Sequence, residues 1–200
     1  EIGVRLVGSE MCIRDSITSN KGKIAALKRS FLNAGRFDIK VNQVQADIVE
    51  PQLNNIADVS KYKAMEAFKI LKKPILVEDG GLVIEALNGF PGPYTKYVLS
   101  TIGIDGILKL MNGENNRAAK FVSFATFVGN DGTVCQFERF GDNFEIAYER
   151  KNVIHPDAWS DLWQVMYMKD YGKMLCEFSK QELSDFTESC LLYTSDAAHD

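Results

Sequence analysis

Lys73–Lys96, KPILVEDGGLVIEALNGFPGPYTK, is the stretch whose reading decides the fold. Ile75-Leu76-Val77 is a short apolar run bounded by Pro74 and a turn, which predicts a buried strand. Glu78 and Asp79 are expected at the carboxyl end of that strand, with Gly80-Gly81 directly after them. In an open α/β sheet that edge is where ligands bind. Glycine lets a backbone approach a ligand closely. A short apolar helix is expected next, followed by the proline-stiffened loop Gly89-Phe90-Pro91-Gly92-Pro93-Tyr94 and then Lys96. Acid, glycine, rigid loop and lysine in one span suggest a site for a metal-bound anion.

Upstream, a helix is predicted over Ser60–Lys72, with Ala64, Ala67, Phe68 and Leu71 on one stripe and Pro74 as its stop. Lys63 is then expected in the first turn, where a cation opposes the helix dipole; a phosphate ligand would explain it better than a structural role. Further back, Thr18-Ser19-Asn20-Lys21-Gly22-Lys23 precedes a helix carrying Ile24, Leu27 and Phe31, closed by Gly35. First-turn amides and Lys23 would make an anion site there, and a capped surface helix with solvated lysines is the alternative. The segment lacks the GxxxxGK[ST] pattern of a Walker A loop. Asp38–Ile48 reads as a strand leading to Glu50, which by itself reads as a solvated carboxylate before Pro51.

Downstream, Gly103–Gly113 is expected as a short helix. Ala119–Val128 and Thr133–Phe140 are expected as strands joined by a hairpin turn at Gly129-Asn130-Asp131-Gly132. Past Phe140 the signals fade. Ile154–Met168 holds Trp159, Trp163 and Tyr167 with few helix or strand cues, and His155 beside Pro156 reads as structural. A polar helix is expected over Ser179–Phe186.

The 200 residues carry 46% hydrophobic and 25% charged residues and a net charge of −4, which describes one domain or a tightly joined pair of lobes. Mild acidity gives no electrostatic reason for a nucleic-acid polymer as partner. No apolar run approaches the roughly 20 residues of a membrane helix. The four cysteines are widely spaced without a CxxC, which speaks against a zinc site or disulfide framework and fits a reducing, cytoplasmic setting. Glu1–Ser16 (EIGVRLVGSEMCIRDS) and Ser189–Asp200 (SCLLYTSDAAHD) read as adapter-like, non-native ends, with the native protein expected to extend past both. The domain proper is expected over 17–188.

Taken together, TSNKGK, VEPQ, Lys63, VEDGGL and ALNGFPGPYTK resemble the inosine-triphosphate pyrophosphatase family over about Ile17–Thr187. TSNKGK matches that family's T/S-x-N-x-x-K loop, VEDGGL its VEDTGL/VEDTSL, and ALNGFPGPYTK its ALxGxPGPYxK. The family's base-recognition segment, F-G-W/Y-D, falls on Ser160-Asp161-Leu162-Trp163, where its glycine and acid are both replaced. Its later lysine falls on Leu183 and its closing S-H-R on Thr187-Glu188-Ser189.

The resemblance implies an elongated, two-lobed α/β fold with a long mixed central sheet, flanking helices and a nucleotide cleft. It implies hydrolysis of ITP, dITP or XTP to the monophosphate and pyrophosphate, a nucleotide-pool cleaning reaction that depends on Mg²⁺, in a cytoplasmic homodimer. Asp79 would be catalytic, and Glu50 and Asp79 would hold the metal, with Glu78 as a further acid. Thr18, Ser19, Asn20, Lys21, Gly22, Lys23, Lys63, Gly80 and Lys96 would meet the triphosphate. Ser160, Asp161, Leu162 and Trp163 would stand at the base. The altered base segment keeps two alternatives open: a nucleotide-binding protein without turnover, and a pyrophosphatase with changed base preference.

Overall fold

The computed structural model describes residues 12–17, 24, 28, 32, 35, 37, 39–44, 48, 49 and 51–186. Among them, seven strands form one mixed sheet: β1 (Cys12–Ile17), β2 (Ile39–Val44), β3 (Ile75–Ile84), β4 (Ala118–Val128), β5 (Val134–Ile146), β6 (Met166–Met168) and β7 (Lys173–Met174). Their order is β2-β1-β3-β4-β5-β6-β7. β1 runs parallel to both β2 and β3, and every later pairing is antiparallel. This is the mixed α/β architecture expected from the sequence. Cys12–Ser16, part of the span read as a non-native end, pairs with Ile39–Gln43 of β2.

The helix before β3 is α1, Ile56–Leu71, a turn longer at its start than the periodicity predicts. Asn55 explains the difference: its side chain accepts from the Asp58 N–H at 2.7 Å and caps the helix. Lys63 therefore lies mid-helix rather than in the first turn, and the dipole argument for it falls away. At the other end Lys72 turns left-handed (φ 53°) and its N–H bonds Phe68 O, with Pro74 just beyond. Gly35, expected as a cap, takes φ 67° and bonds Leu32 O at 3.0 Å.

β3 corrects two expectations. It does not end at Glu78-Asp79 but continues unbroken through Gly80-Gly81 to Ile84, paired residue for residue with β4. The short apolar helix expected there is more strand, followed by a single 3₁₀ turn at Glu85–Leu87. α2 (Thr95–Thr101) and α3 (Gly103–Leu110) follow, and then the predicted hairpin, whose turn is closed by Gly129 N–H to Thr133 O at 2.9 Å. β5 runs on past Phe140 to Ile146. Beyond it the chain makes 3₁₀ turns and the two short strands β6 and β7, elements too short for periodicity to reveal. Residues 180–186 are helical.

Two hydrophobic clusters share β3. Ala64, Ala67, Ile75, Val77 and Val128 pack between α1 and the sheet. A larger cluster joins Leu82 and Ile84 to Val98, Ile104, Ile107, Phe144, Ile146, Leu162, Trp163 and the β6–β7 region. No helix among the described residues is long and apolar enough to cross a membrane.

Candidate active site

Side chains alternate along a strand, so Ile75, Val77 and Asp79 share the β3 face covered by α1, while Glu78 falls on the other. That assignment agrees with the contact: Lys63 Nζ lies 2.8 Å from Asp79 Oδ2, both side chains less than one-fifth exposed. Oδ2 is buried and accepts no hydrogen bond from the described residues, so the contact is an ion pair without hydrogen-bond alignment. Glu78 is not positioned to share a ligand with Asp79 on this face.

Among the described residues, Asp79 lies beyond the stretch of β3 that pairs with β1. Among the described residues β1 pairs with β3 at Asp15–Ile75 and Ser16–Leu76, and β1 is described to Ile17. Past that point the loop before α2 takes over the edge: Val83 bridges Pro91, and the Leu82 N–H donates to Thr95 Oγ1 at 2.8 Å. Thr95 Oγ1 in turn donates to Gly92 O at 2.7 Å, which closes the loop on itself. The Phe90–Pro91 peptide is cis.

Gly81 is where loop and strand cross. A Cβ there would sit 2.0 Å from Gly92 O, so the loop can seat over β3 only if this position has no side chain. Gly80 is also close-packed, on the β4 side: its Cβ would lie 3.0 Å from Ser123 Cβ and 3.1 Å from Val122 O. Gly81 therefore lets the strand continue beneath the loop, and Gly80 lets it lie close against β4. Lys96 follows Thr95 in the first turn of α2 and is exposed.

The structure thus brings Lys63, Asp79 and the Gly81–Gly92–Thr95 crossing together. Thr18, Ser19, Asn20, Lys21, Gly22, Lys23 and Glu50 lie outside the described residues; Thr18 is the residue that follows β1 directly. Among the described residues no three His, Cys, Asp or Glu side chains cluster to hold a metal.

Ser160, Asp161, Leu162 and Trp163 stand in the other cluster. Ser160 Oγ accepts from the Leu162 N–H at 3.3 Å and caps the 3₁₀ turn Asp161–Gln164. Leu162 and Trp163 are buried in the core, whereas Asp161 is exposed. Trp163 packs against His155 (5.3 Å) and edge-on to Trp159 (6.3 Å), and Trp159 packs edge-on to Phe121 (4.9 Å). The structural reading of His155 holds: it is buried, Nδ1 accepts from the Asp157 N–H at 3.1 Å, and Nε2 donates to Phe178 O at 3.1 Å.

The reading of the sequence missed Thr95 as the loop's clip and Ser60 as a buried polar contact of α1. Ser60 lies three residues before Lys63, on a face otherwise occupied by alanine and other apolar residues. A hydroxyl in such a stripe was the available signal.

The Ham1 family model matches residues 16–142, and the chain belongs to the Ham1 family. A dITP/XTP pyrophosphatase of Methanopyrus kandleri is 42% identical over 120 residues, covering 60% of this chain and 62% of that protein. Inosine triphosphate pyrophosphatase 2 of Trypanosoma cruzi is 35% identical over 122 residues, covering 61% and 60%. The chain thus spans about three-fifths of the length of the curated relatives it matches. The fold extends further: a dITP/XTP pyrophosphatase structure from Mycobacterium abscessus superposes with a TM-score of 0.73 at 18% identity, covering 92% of this chain and 96% of that one. A HAM1 protein structure from Coxiella burnetii gives 0.73 at 18%, covering 94% and 98%.

Proposed function

We propose that the protein is a nucleoside triphosphate pyrophosphatase that hydrolyses ITP, dITP or XTP to the monophosphate and pyrophosphate. The observation that carries this is Asp79: a carboxylate held by Lys63 on the sheet face next to the Gly81–Gly92 crossing, with Oδ2 buried and accepting no hydrogen bond from the described residues. Relatives named for dITP, XTP and inosine triphosphate supply the substrate class.

The same carboxylate supports a divalent cation. A largely buried carboxylate that accepts no hydrogen bond from the described residues and is held only by the Lys63 ion pair has lone pairs to offer a hard ion, and Mg²⁺ takes one or two carboxylates and keeps several waters. Asp79 and Glu50 would hold it. When bound it would supply charge neutralisation on the phosphoryl oxygens. The chain's own residues do the rest. Asp79 accepts the proton of the water that attacks the α–β anhydride, the bridging P–O bond breaks, and pyrophosphate leaves. Lys63, with Lys23 and Lys96, offsets charge on the tail and on the leaving group. Thr18, Ser19, Asn20, Lys21, Gly22 and Gly80 contribute short polar contacts and close backbone approach.

A changed base preference is the second reading, and burial of Leu162 and Trp163 favours it. Two of the four residues aligned with the family's base segment are core here, so this segment offers the base less side-chain surface. Cytoplasmic location and a homodimer go with the proposal, supported by cysteine usage and by the family resemblance respectively.

Phosphorus NMR of the products decides the reaction. Incubation with XTP and Mg²⁺ is expected to give monophosphate and pyrophosphate in equal amounts. Diphosphate and orthophosphate would overturn the proposal.

A further inference from the structure

We propose that a buried hydrogen-bond relay, Gln136–Thr126–Ser60, is the positioning device that holds Lys63 over Asp79; this rests on the reading of those two residues as the phosphate and metal side of the site. Ser60 and Thr126 are fully buried between α1 and the sheet. Gln136 Nε2 donates to Ala57 O at 2.9 Å and to Thr126 Oγ1 at 2.8 Å. With both amide protons so used, the Thr126 hydroxyl donates to Ser60 Oγ at 2.8 Å, and the Ser60 hydroxyl donates to Phe124 O at 3.0 Å. Each proton is used once, and the chain of bonds runs from β5 across β4 into α1.

Its far end lies at the site. Phe124 is the cross-strand partner of Asp79, and Val77, whose carbonyl lies 3.5 Å from Ser60 Oγ, is two residues before Asp79 on the same face. Ser60 precedes Lys63 by three residues, so it sits one turn away on the same side of the helix.

The remaining contact between α1 and the sheet is apolar and non-directional: Ala64 and Ala67 at its centre, Phe68 and Leu71 packed against the same cluster, and Ile56 and Val59 buried at the helix start. Ala64 and Ala67 are both fully buried, and at these two positions small side chains offer little resistance to sliding along the helix axis. A slip of one turn moves a residue about 5.4 Å, which is beyond the reach of a 2.8 Å ion pair. Directional bonds fix what the alanines leave free. Apolar groups of the same shape would serve stability about as well. The hydroxyls therefore select one register of α1 on β3.

The test is titration calorimetry of the full chain with tripolyphosphate in the presence of Mg²⁺. Thr126→Val is expected to weaken binding about tenfold, and Thr126→Ser to restore it. In a Lys63→Ala background Thr126→Val is expected to add nothing, because it acts through Lys63. Gln136→Leu, at the exposed end of the relay, gives a second variant that leaves the core intact and is expected to weaken binding in the same direction. Equal tripolyphosphate affinity for Thr126→Val and Thr126→Ser, or losses that simply add to that of Lys63→Ala, would overturn the proposal. Failure of the unchanged protein to release pyrophosphate from XTP would overturn the catalytic reading instead, while the Lys63-dependent coupling would still stand or fall by itself.

Discussion

The two halves of the sheet solve opposite problems. On the α1 side the cluster is small and mixed: alanines, Val77 and Ile75 lie beside Ser60, Thr126, Lys63 and Asp79, all wholly or largely out of solvent. On the far side the cluster is large and mainly apolar or aromatic, and the buried cation there, Arg117, gives its protons to the carbonyls of Ile146 (2.7 Å), Met111 (2.7 Å) and Ala147 (2.5 Å). One side holds the Lys63–Asp79 charge pair that the proposed function assigns to a ligand; the other ties its charge to the backbone as scaffold. β3 belongs to both, and Gly80-Gly81 marks where it passes from one to the other. The α1 side is thus joined to the far side through β3 and β4, each of which places residues in both clusters.

That connection can be broken most severely at Gly81. Gly81→Ala puts a methyl group 2.0 Å from Gly92 O, and rigid backbone has no cheap way to yield. The expected loss of stability is more than about 3 kcal/mol, read as a lower urea midpoint, with the loop before α2 displaced. An unchanged midpoint would mean that loop and strand do not cross as described.

Lys63→Ala tests the side that meets the tail. Charge-assisted contacts are worth roughly 1.5–3 kcal/mol, and the loss is expected to be equal for ITP, XTP, GTP and ATP because the proposed function puts the lysine on phosphate and not on the ring. A variant that altered the ratio between bases would place Lys63 on the wrong half of the comparison.

The smallest effect is expected at the far end, where Lys173 Nζ meets both oxygens of Glu182 at 2.6 and 2.8 Å. The Lys173 hydrogen bond comes first, and the Ser179 N–H and hydroxyl second, in pulling the Glu182 carboxyl down from 4.5 to about 2. A depressed acid stabilises the fold above its unfolded value and loses that contribution as pH falls through its folded one. Protection of the amides of residues 180–186 is therefore expected to decline between about 4.5 and 2 in hydrogen exchange. Glu182→Gln should remove that pH dependence and leave tripolyphosphate affinity unchanged.

The sequence was most legible where residue type and chain geometry agree. VEDGGL and GFPGPYTK carried the family and the Asp79 neighbourhood, because an acid, paired glycines and a proline loop each have few alternative uses. α1 and the β4–β5 hairpin followed from periodicity and turn chemistry. Gly80-Gly81 misled because paired glycines commonly end a strand, whereas here Gly81 lets it continue under a loop 11 residues further along the chain, at Gly92. The region after Phe140 stayed opaque for a different reason. Its strands of three and two residues hold their places through long-range packing, which local pattern does not encode. The Ser60–Thr126 contact spans 66 residues and was equally out of reach.

Asp79→Asn tests the central claim most directly, since it keeps the shape of the side chain and removes the charge that Lys63 and a cation would share. Release of pyrophosphate from XTP at saturating Mg²⁺ is to be measured beside the unchanged protein, with circular dichroism to show that both are folded. The account predicts a folded variant with nearly all turnover lost. A folded variant turning over XTP at close to the original rate would contradict it.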